Sequence, residues 1–299
     1  MKVLVSGSHG LVGKAFIQSL LNRGDTVSRL VREAPSGSND IEWHPNKGQI
    51  DAARLGGFDA VVHLAGESIA SGRWTPEKKQ KIRDSRVKGT RLLSDALTKA
   101  PQPPSVFVCA SAIGFYGDRG DEVLTEQSAP GNDFLAGVCK QWEESTEPAA
   151  ETGIRLAKAR LGIVLDRDGG ALAKMLPPFR MGIGGRIGDG KQWMSWIALA
   201  DVVRALEFVI DKQNLSGAVN FVAPNPVTNT TFTSALGNIL GRPTFFPVPA
   251  FGARLAFGEM ADALLLSSQR VEPKRLNESG FKFDYANLND ALSVILRPR

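Results

Sequence analysis

Three glycines, Gly7, Gly10 and Gly13, stand between a short apolar run, Lys2–Ser6, and an amphipathic stretch, Leu11–Asn22. The first segment reads as a buried strand and the second as a helix that ends at Gly24. In that context each glycine has a task. One permits a tight turn, one lets the backbone approach a pyrophosphate, and one lets helix and strand pack closely. The amides that open the helix, at Leu11 and Val12, then face the phosphates. Glycines also make ordinary turns. The order strand, loop, helix is what makes this spacing specific. His9 lies inside the loop and reads as a polar loop residue.

The end of the second strand selects the dinucleotide. A carboxylate there would hold the free ribose 2′-hydroxyl of NAD. The strand Thr26–Val31 instead runs Ser28-Arg29-Leu30-Val31-Arg32, and the nearby Glu33 lies past it. Two guanidiniums suit a 2′-phosphate. Arg29, Val31 and Arg32 are therefore expected at the adenosine end, with NADP preferred over NAD. The competing reading is a pair of solvated arginines.

Further apolar runs follow at Ala60–Leu64, Val106–Ala110 and Arg160–Leu165. Helical periodicity separates them at Pro76–Lys99 and Phe134–Glu151. This alternation predicts an α/β fold with a parallel sheet covered by helices on both faces. Gly169–Gly190 is glycine-rich and contains Pro177 and Pro178, so it reads as an excursion from the sheet. Asp201–Ile210 reads as a helix and Ala218–Val222 as a strand. Prolines cluster from Pro224 onward and suggest a smaller appended module of short helices and turns. The expected division is 1–168 plus 196–223 for the nucleotide-binding domain, with 169–195 and 224–299 on the substrate side.

Composition narrows the classes. A 42% hydrophobic content excludes a disordered chain. No apolar run approaches the ~20 residues of a membrane span. The chain enters its first strand at once, so no signal peptide and a cytoplasmic location are expected. Two cysteines, Cys109 and Cys139, and three histidines suit neither a disulfide framework nor a metal site. The net charge of +5 comes from scattered basic residues without interleaved aromatics, so no nucleic-acid partner is expected. Gly185 to Lys191 fits G-x-x-x-x-G-K, but Gln192 follows and prolines precede it, so no ATP loop is assigned. The segment reads either as a flap, with Lys191, Trp193 and Trp196 near its base, or as a plain connection.

Several segments together carry a family resemblance: Val62-His63-Leu64-Ala65-Gly66-Glu67, Gly72-Arg73-Trp74-Thr75, Ser85-Arg86-Val87-Lys88-Gly89-Thr90, Ser111 through Gly117, and Lys174 through Phe179. With these, the chain resembles the atypical, epimerase-like group of the short-chain dehydrogenase/reductase superfamily. The stretch Gly241 to Phe281 resembles that group's C-terminal module. The resemblance implies a Rossmann-type, doubly wound parallel sheet with NADP across its strand ends. It also implies cofactor contacts from Leu64, Ala65, Arg86 and Val164. Lys81 reads either as a phosphate contact or as part of a solvated helix face. Relatives that pair through helices make a homodimer the expected assembly.

Catalytic members of the superfamily use Tyr-x-x-x-Lys on a helix. This chain has two tyrosines. Tyr116 is followed four residues on by Gly120, and Tyr285 by Asn289. Anchored on Glu143, the expected helix holds Leu135 and Cys139 at the key positions, with Lys140 one residue off, about 100° around the helix. The usual acid/base is absent. Ser111 matches the strand-end serine that orients the reacting oxygen, Tyr116 could offer a displaced phenol, and Glu67 a carboxylate. These three are the catalytic candidates. The duller readings are a turn hydroxyl, a packed ring and a cap. Two functions stay open: an NADP-dependent epimerase or oxidoreductase acting on a small hydroxyl or carbonyl compound or a nucleotide sugar, or a cofactor-binding sensor or scaffold without turnover.

Overall fold

The computed structural model describes residues 1–35 and 37–297. The chain opens with β1 (Lys2–Ser6), α1 (Leu11–Asn22), β2 (Thr26–Val31), β3 (Asp40–His44) and β4 (Gln49–Ile50). It continues through β5 (Ala60–His63), α2 (Pro76–Leu97), β6 (Val106–Ala112), β7 (Val123–Leu124), α3 (Phe134–Glu144), α4 (Glu147–Glu151) and β8 (Arg155–Leu161). After these come β9 (Ile163–Leu165), α5 (Gly170–Arg180), β10 (Trp193–Met194), β11 (Trp196–Ala198), α6 (Leu199–Asp211) and β12 (Gly217–Phe221). The remainder holds β13 (Val227–Thr228), α7 (Asn229–Leu240), α8 (Ala250–Phe257), α9 (Glu259–Ala261), β14 (Arg270–Val271), α10 (Lys274–Glu278) and α11 (Leu288–Ile295).

The main sheet has the order β12-β8-β6-β5-β1-β2-β3-β4 and is parallel except at β4. Strand alternation sends Val3, Val5, Val62 and Val108 against α1 and α6 on one face. It sends Leu4, Val61 and Phe107 towards α2 and α3 on the other. The strand order reverses between β1 and β5. In a doubly wound sheet that reversal opens a crevice at the carboxyl ends of the strands. A third core joins α5, α7 and α11 through Leu172, Phe232 and Leu292. No helix among the described residues is long and apolar enough to cross a membrane.

Three elements differ from their sequence expectation, each for a local reason. The helix over 134–151 is broken into α3 and α4. Pro148 has no N–H to give the Glu144 carbonyl, and the Ser145 and Thr146 hydroxyls cap the carbonyls of Gln141 and Glu143. The strand expected over 160–165 begins at Arg155 and stops at Gly162, where a Cβ would lie 2.7 Å from the Ser195 carbonyl oxygen. The chain leaves the main sheet there and β9 pairs with β11. The glycine-rich excursion contains α5, with both prolines inside it.

Two buried polar groups fasten this frame. Asp201, at the start of α6, is fully buried, and its carboxylate accepts the Asp284 and Tyr285 amides, each at 2.9 Å. Arg204 adds an ion pair at 3.0 Å. The tail before α11 is thereby tied to the nucleotide-binding sheet. His63, at the end of β5, shares a 2.6 Å hydrogen bond with Ser6 across the β1–β5 seam. Trp43 and Phe107 enclose the ring. Burial holds the imidazole pKa down at about 4, against an ordinary 6.5.

Asp201→Ala removes the acceptor of the Asp284 and Tyr285 amides and a partner of Arg204. It is expected to lower stability by about 3 kcal/mol in chemical denaturation; an unchanged midpoint would remove the anchoring role. For His63, the unfolded chain binds a proton more readily than the folded one between pH 6.5 and about 4. Stability is therefore expected to fall as pH drops through that window, by at most about 3 kcal/mol from this group. Urea unfolding of His63→Leu across the same range should show a flatter slope. A slope equal to that of the natural chain would assign the effect elsewhere.

Candidate functional site

The crevice is built first from backbone. Gly7 has φ +70°, a region that favours glycine, and a Cβ there would sit 2.6 Å from the Leu64 carbonyl carbon. A Cβ on Gly13 would sit 2.3 Å from the Gly7 carbonyl oxygen. The Gly10 amide closes the turn onto the same oxygen at 3.0 Å. A side chain at Gly7 would prise the loop off the chain just past β5, and one at Gly13 would push α1 off the loop. Gly10 precedes α1 with extended backbone, no side chain caps the helix, and its first turn carries no acid. The opening amides are thus left for an anion. This cradle fits a pyrophosphate. Around it, Leu11 packs against Gly169 and Gly170 at the start of α5. Leu64 touches both cores of the main sheet, and Val12 and Val164 border the core beside α1. Val31 is buried at the end of β2, and Ala65 is partly buried just past β5.

The basic residues divide into two roles. Arg29 forms a two-pronged ion pair with the buried Asp40 on β3, at 2.7 and 2.8 Å. The two residues face each other in the β2–β3 register. Arg29, expected at a phosphate, is thus engaged within the sheet. Arg32 stays exposed at the strand end. Glu67 lies across the crevice mouth and accepts from Lys78 at 2.6 Å. Its carboxyl is held below the usual range, first by that hydrogen bond and then by the charges of Lys78, Lys81 and Arg32. Arg32, Lys78 and Lys81 therefore surround one region. Arg86 lies under the following loop. It donates to the carbonyls of Glu67 and Ile82 at 3.0 and 3.1 Å and stacks 5.0 Å over the Trp142 ring.

The strand-end serine leads into a buried network. Ser111 donates to Glu143 on α3 at 2.7 Å. Arg160 grips both oxygens of Glu143, at 2.8 and 2.9 Å. Arg160 also donates to the Tyr116 hydroxyl at 3.0 Å, and that hydroxyl donates to Asn220 at 2.7 Å. The Arg160 guanidinium lies 3.5 Å over the Phe115 ring. Sheet register assembles this set, because Ser111 and Asn220 flank Arg160 on the neighbouring strands.

These contacts sort the catalytic candidates. Tyr116 is fully buried with both hydrogen-bonding roles filled, and burial pushes its phenol pKa up. The displaced-phenol role expected of it has no open face. Glu67 is tied to Lys78 and sits among the charges of Lys78, Lys81 and Arg32. Cys139 is buried and its thiol is pushed up to about 12 by burial, so it is inert at neutral pH. Ser111 remains, itself 2% exposed near the end of β6, with its hydroxyl turned to the Glu143 carboxylate. Glu143, Arg160 and Asn220 carry no role in the sequence reading. Their one visible signal is Arg160, a charge inside an apolar strand.

The comparisons with known proteins agree with this geometry. The NAD dependent epimerase/dehydratase family matches residues 3–221, and a domain of unknown function, DUF1731, matches residues 248–295. The chain is 44% identical over 290 residues to epimerase family protein Mb2239 of Mycobacterium bovis, covering 97% of this chain and 96% of that protein. It is 36% identical to the Homo sapiens epimerase family protein SDR39U1, covering 99% of this chain and all of that one. The crystal structure of human SDR39U1 (isoform 2) with NADPH superposes with a TM-score of 0.91 at 35% identity, covering 99% of each chain. The Bacillus cereus UDP-N-acetylglucosamine 4-epimerase, at 19% identity and TM-score 0.76, shares the fold. The chain belongs to the NAD dependent epimerase/dehydratase family, within the short-chain dehydrogenase/reductase superfamily and its epimerase-like group.

Proposed function

We propose that this protein is an NADP(H)-dependent oxidoreductase for a small hydroxyl or carbonyl compound, with Ser111 and Glu143 handling the proton. The observation that carries this reading is the Ser111–Glu143 hydrogen bond at the crevice end of β6. When bound, the cofactor exchanges a hydride with the substrate carbon. Gly7, Gly10 and the opening amides of α1 hold its pyrophosphate. Arg32 takes its 2′-phosphate, with Lys81 adding charge, since Arg29 is engaged by Asp40. The human relative solved with NADPH supports this choice over NAD.

The proton route needs no tyrosine. In the oxidative direction the substrate hydroxyl gives its proton to the Ser111 oxygen. Ser111 passes its own proton to the Glu143 carboxylate, and the carbonyl forms as the hydride leaves. Reduction runs the same route backwards. Arg160 holds Glu143 in place and balances its charge while the carboxylate is ionised. A second reading, an NADP(H)-responsive binding protein without turnover, is favoured by one observation: Tyr116 is locked by two hydrogen bonds.

Arg32→Ala is expected to weaken NADPH binding by roughly 10–100-fold in calorimetry and to leave NADH unchanged, the value of a charge-assisted phosphate contact. Equal losses for both nucleotides would refute the assignment. Ser111→Ala should slow NADPH consumption with phenanthrenequinone and a panel of aldehydes and ketones by about 100-fold or more, with NADPH affinity unchanged. A variant as fast as the natural chain would remove Ser111 from the mechanism. A natural chain that binds NADPH but consumes none with any probe would favour the second reading.

A further inference from the structure

Arg86 carries a half-buried guanidinium with no acid of its own. Its Nη1 atom is spent on the carbonyls of Glu67 and Ile82, and the Trp142 ring lies against it. Its Nε and Nη2 atoms have no partner among the described residues. Neither is sealed inside the protein, in contrast to the unpartnered Nε of Arg270. The Glu67 carboxylate is engaged by Lys78. Nε and Nη2 together form the side edge of a guanidinium, and three other arginines show what that edge takes in this chain. Arg29, Arg119 and Arg160 present Nε and Nη2 to the two oxygens of a single carboxylate, that of Asp40, Glu122 and Glu143 respectively. The planar fork matches the spacing of those oxygens. On Arg86 the same edge is open.

The charge is unbalanced along with the hydrogen bonding. Burial holds the Arg86 pKa below its ordinary value, and the fields of Cys139 and Glu67 do not reverse the shift. For Arg160 burial acts in the same direction, but the hydrogen bonds and charges of Glu143 and Tyr116 outweigh it. Arg86 lacks the anion that Arg160 has. Its position says which ligand can bring one. A Cβ on Gly66 would lie 3.3 Å from the Arg86 Cζ, and Gly66 follows Leu64 and Ala65, against which the Gly7 turn packs. Trp142, on which Arg86 stacks, lies one turn along α3 from Cys139, and a Cβ on Gly114 would lie 3.9 Å from the Cys139 sulfur. Gly114 closely follows Ser111 in the chain. The guanidinium thus stands between the end of β5 and the part of α3 that meets the segment after Ser111. The cofactor's phosphates belong to the glycine cradle and to Arg32. Its nicotinamide ring is neutral when reduced and cationic when oxidised, so that end of the dinucleotide brings no negative charge. The anion is left to the second ligand.

We propose that the open edge of Arg86 receives a carboxylate of the substrate, so that the compound reduced or oxidised beside Ser111 is an oxo acid or a hydroxy acid. The proposal rests on the oxidoreductase reading of the Ser111 site, and its test separates the two. The complex with NADP+ cannot reduce an oxo acid, so calorimetry on that complex reads binding without turnover. The probes are pyruvate, phenylglyoxylate and succinate semialdehyde, each beside its methyl ester. At least one acid is expected to bind about 10–100-fold more tightly than its ester, the value of a charge-assisted fork. Arg86→Met is expected to bring that acid and its ester to near-equal affinity. Arg86→Lys keeps the charge without the fork and should retain only part of the preference; it serves as the test if the methionine variant does not fold. Natural chain that prefers none of the acids, or a preference undiminished in a folded variant, would overturn the proposal. NADPH consumption with the same compounds is read separately. An acid preference without turnover removes the oxidoreductase reading and leaves the carboxylate site standing, whereas turnover without an acid preference does the reverse.

Discussion

Arg160 and Glu143 form an ion pair inside the protein, and much of the site depends on it. Each is almost fully buried, at 4% and 7% exposure. Two charges withdrawn from water are tolerated when their attraction and further hydrogen bonds offset the desolvation, and losing one partner typically costs about 3–5 kcal/mol. Here the further bonds are present. Ser111 satisfies Glu143, Tyr116 satisfies Arg160, and the Phe115 ring covers the guanidinium. The pair joins β6, β8, β12 and α3 into one unit. Through Asn220, which donates to the Glu272 carbonyl, it extends to the residue that follows β14.

This pair also gives a physical account of the missing tyrosine chemistry. In a site that runs on a phenol, the hydroxyl must face the substrate. Here the phenol nearest the crevice is turned inward as a structural member of the network. The position on α3 that would carry it holds Leu135, and the buried charge sits two turns further along at Glu143. The hydroxyl of Ser111, near the carboxyl end of β6, then bonds directly to an ionisable side chain. Cofactor binding is separable from this. The glycine cradle, the uncapped start of α1 and exposed Arg32 stand on the other side of the sheet's reversal point, in β1, α1 and β2.

The cradle was legible in the sequence because it depends on local backbone. Gly7, Gly10 and Gly13 lie within one turn, and what each must avoid is fixed by the strand-loop-helix order. The roles of Arg29 and Arg32 could not be separated that way. The residue that engages Arg29 is Asp40, which becomes its neighbour through the β2–β3 pairing. β3 itself, Asp40–His44, alternates polar and apolar residues over only five positions, a weak signal in the sequence. The network was hidden for the same reason. Ser111, Glu143, Arg160 and Asn220 lie far apart in the chain and meet through sheet register, which a single sequence does not display. Glu143 was visible as the anchor of a motif without any sign of its partner. The helix α5 was obscured by its two prolines and flanking glycines, which locally favour a loop.

The account turns on where a bound NADPH lies relative to these two halves of the crevice. A crystal structure of the complex tests it most directly. The 2′-phosphate is expected within about 3 Å of the Arg32 guanidinium, with the Arg29–Asp40 pair intact and the nicotinamide ring beside Ser111. A phosphate held by Arg29 with that pair broken, or a nicotinamide turned away from Ser111, would contradict the account.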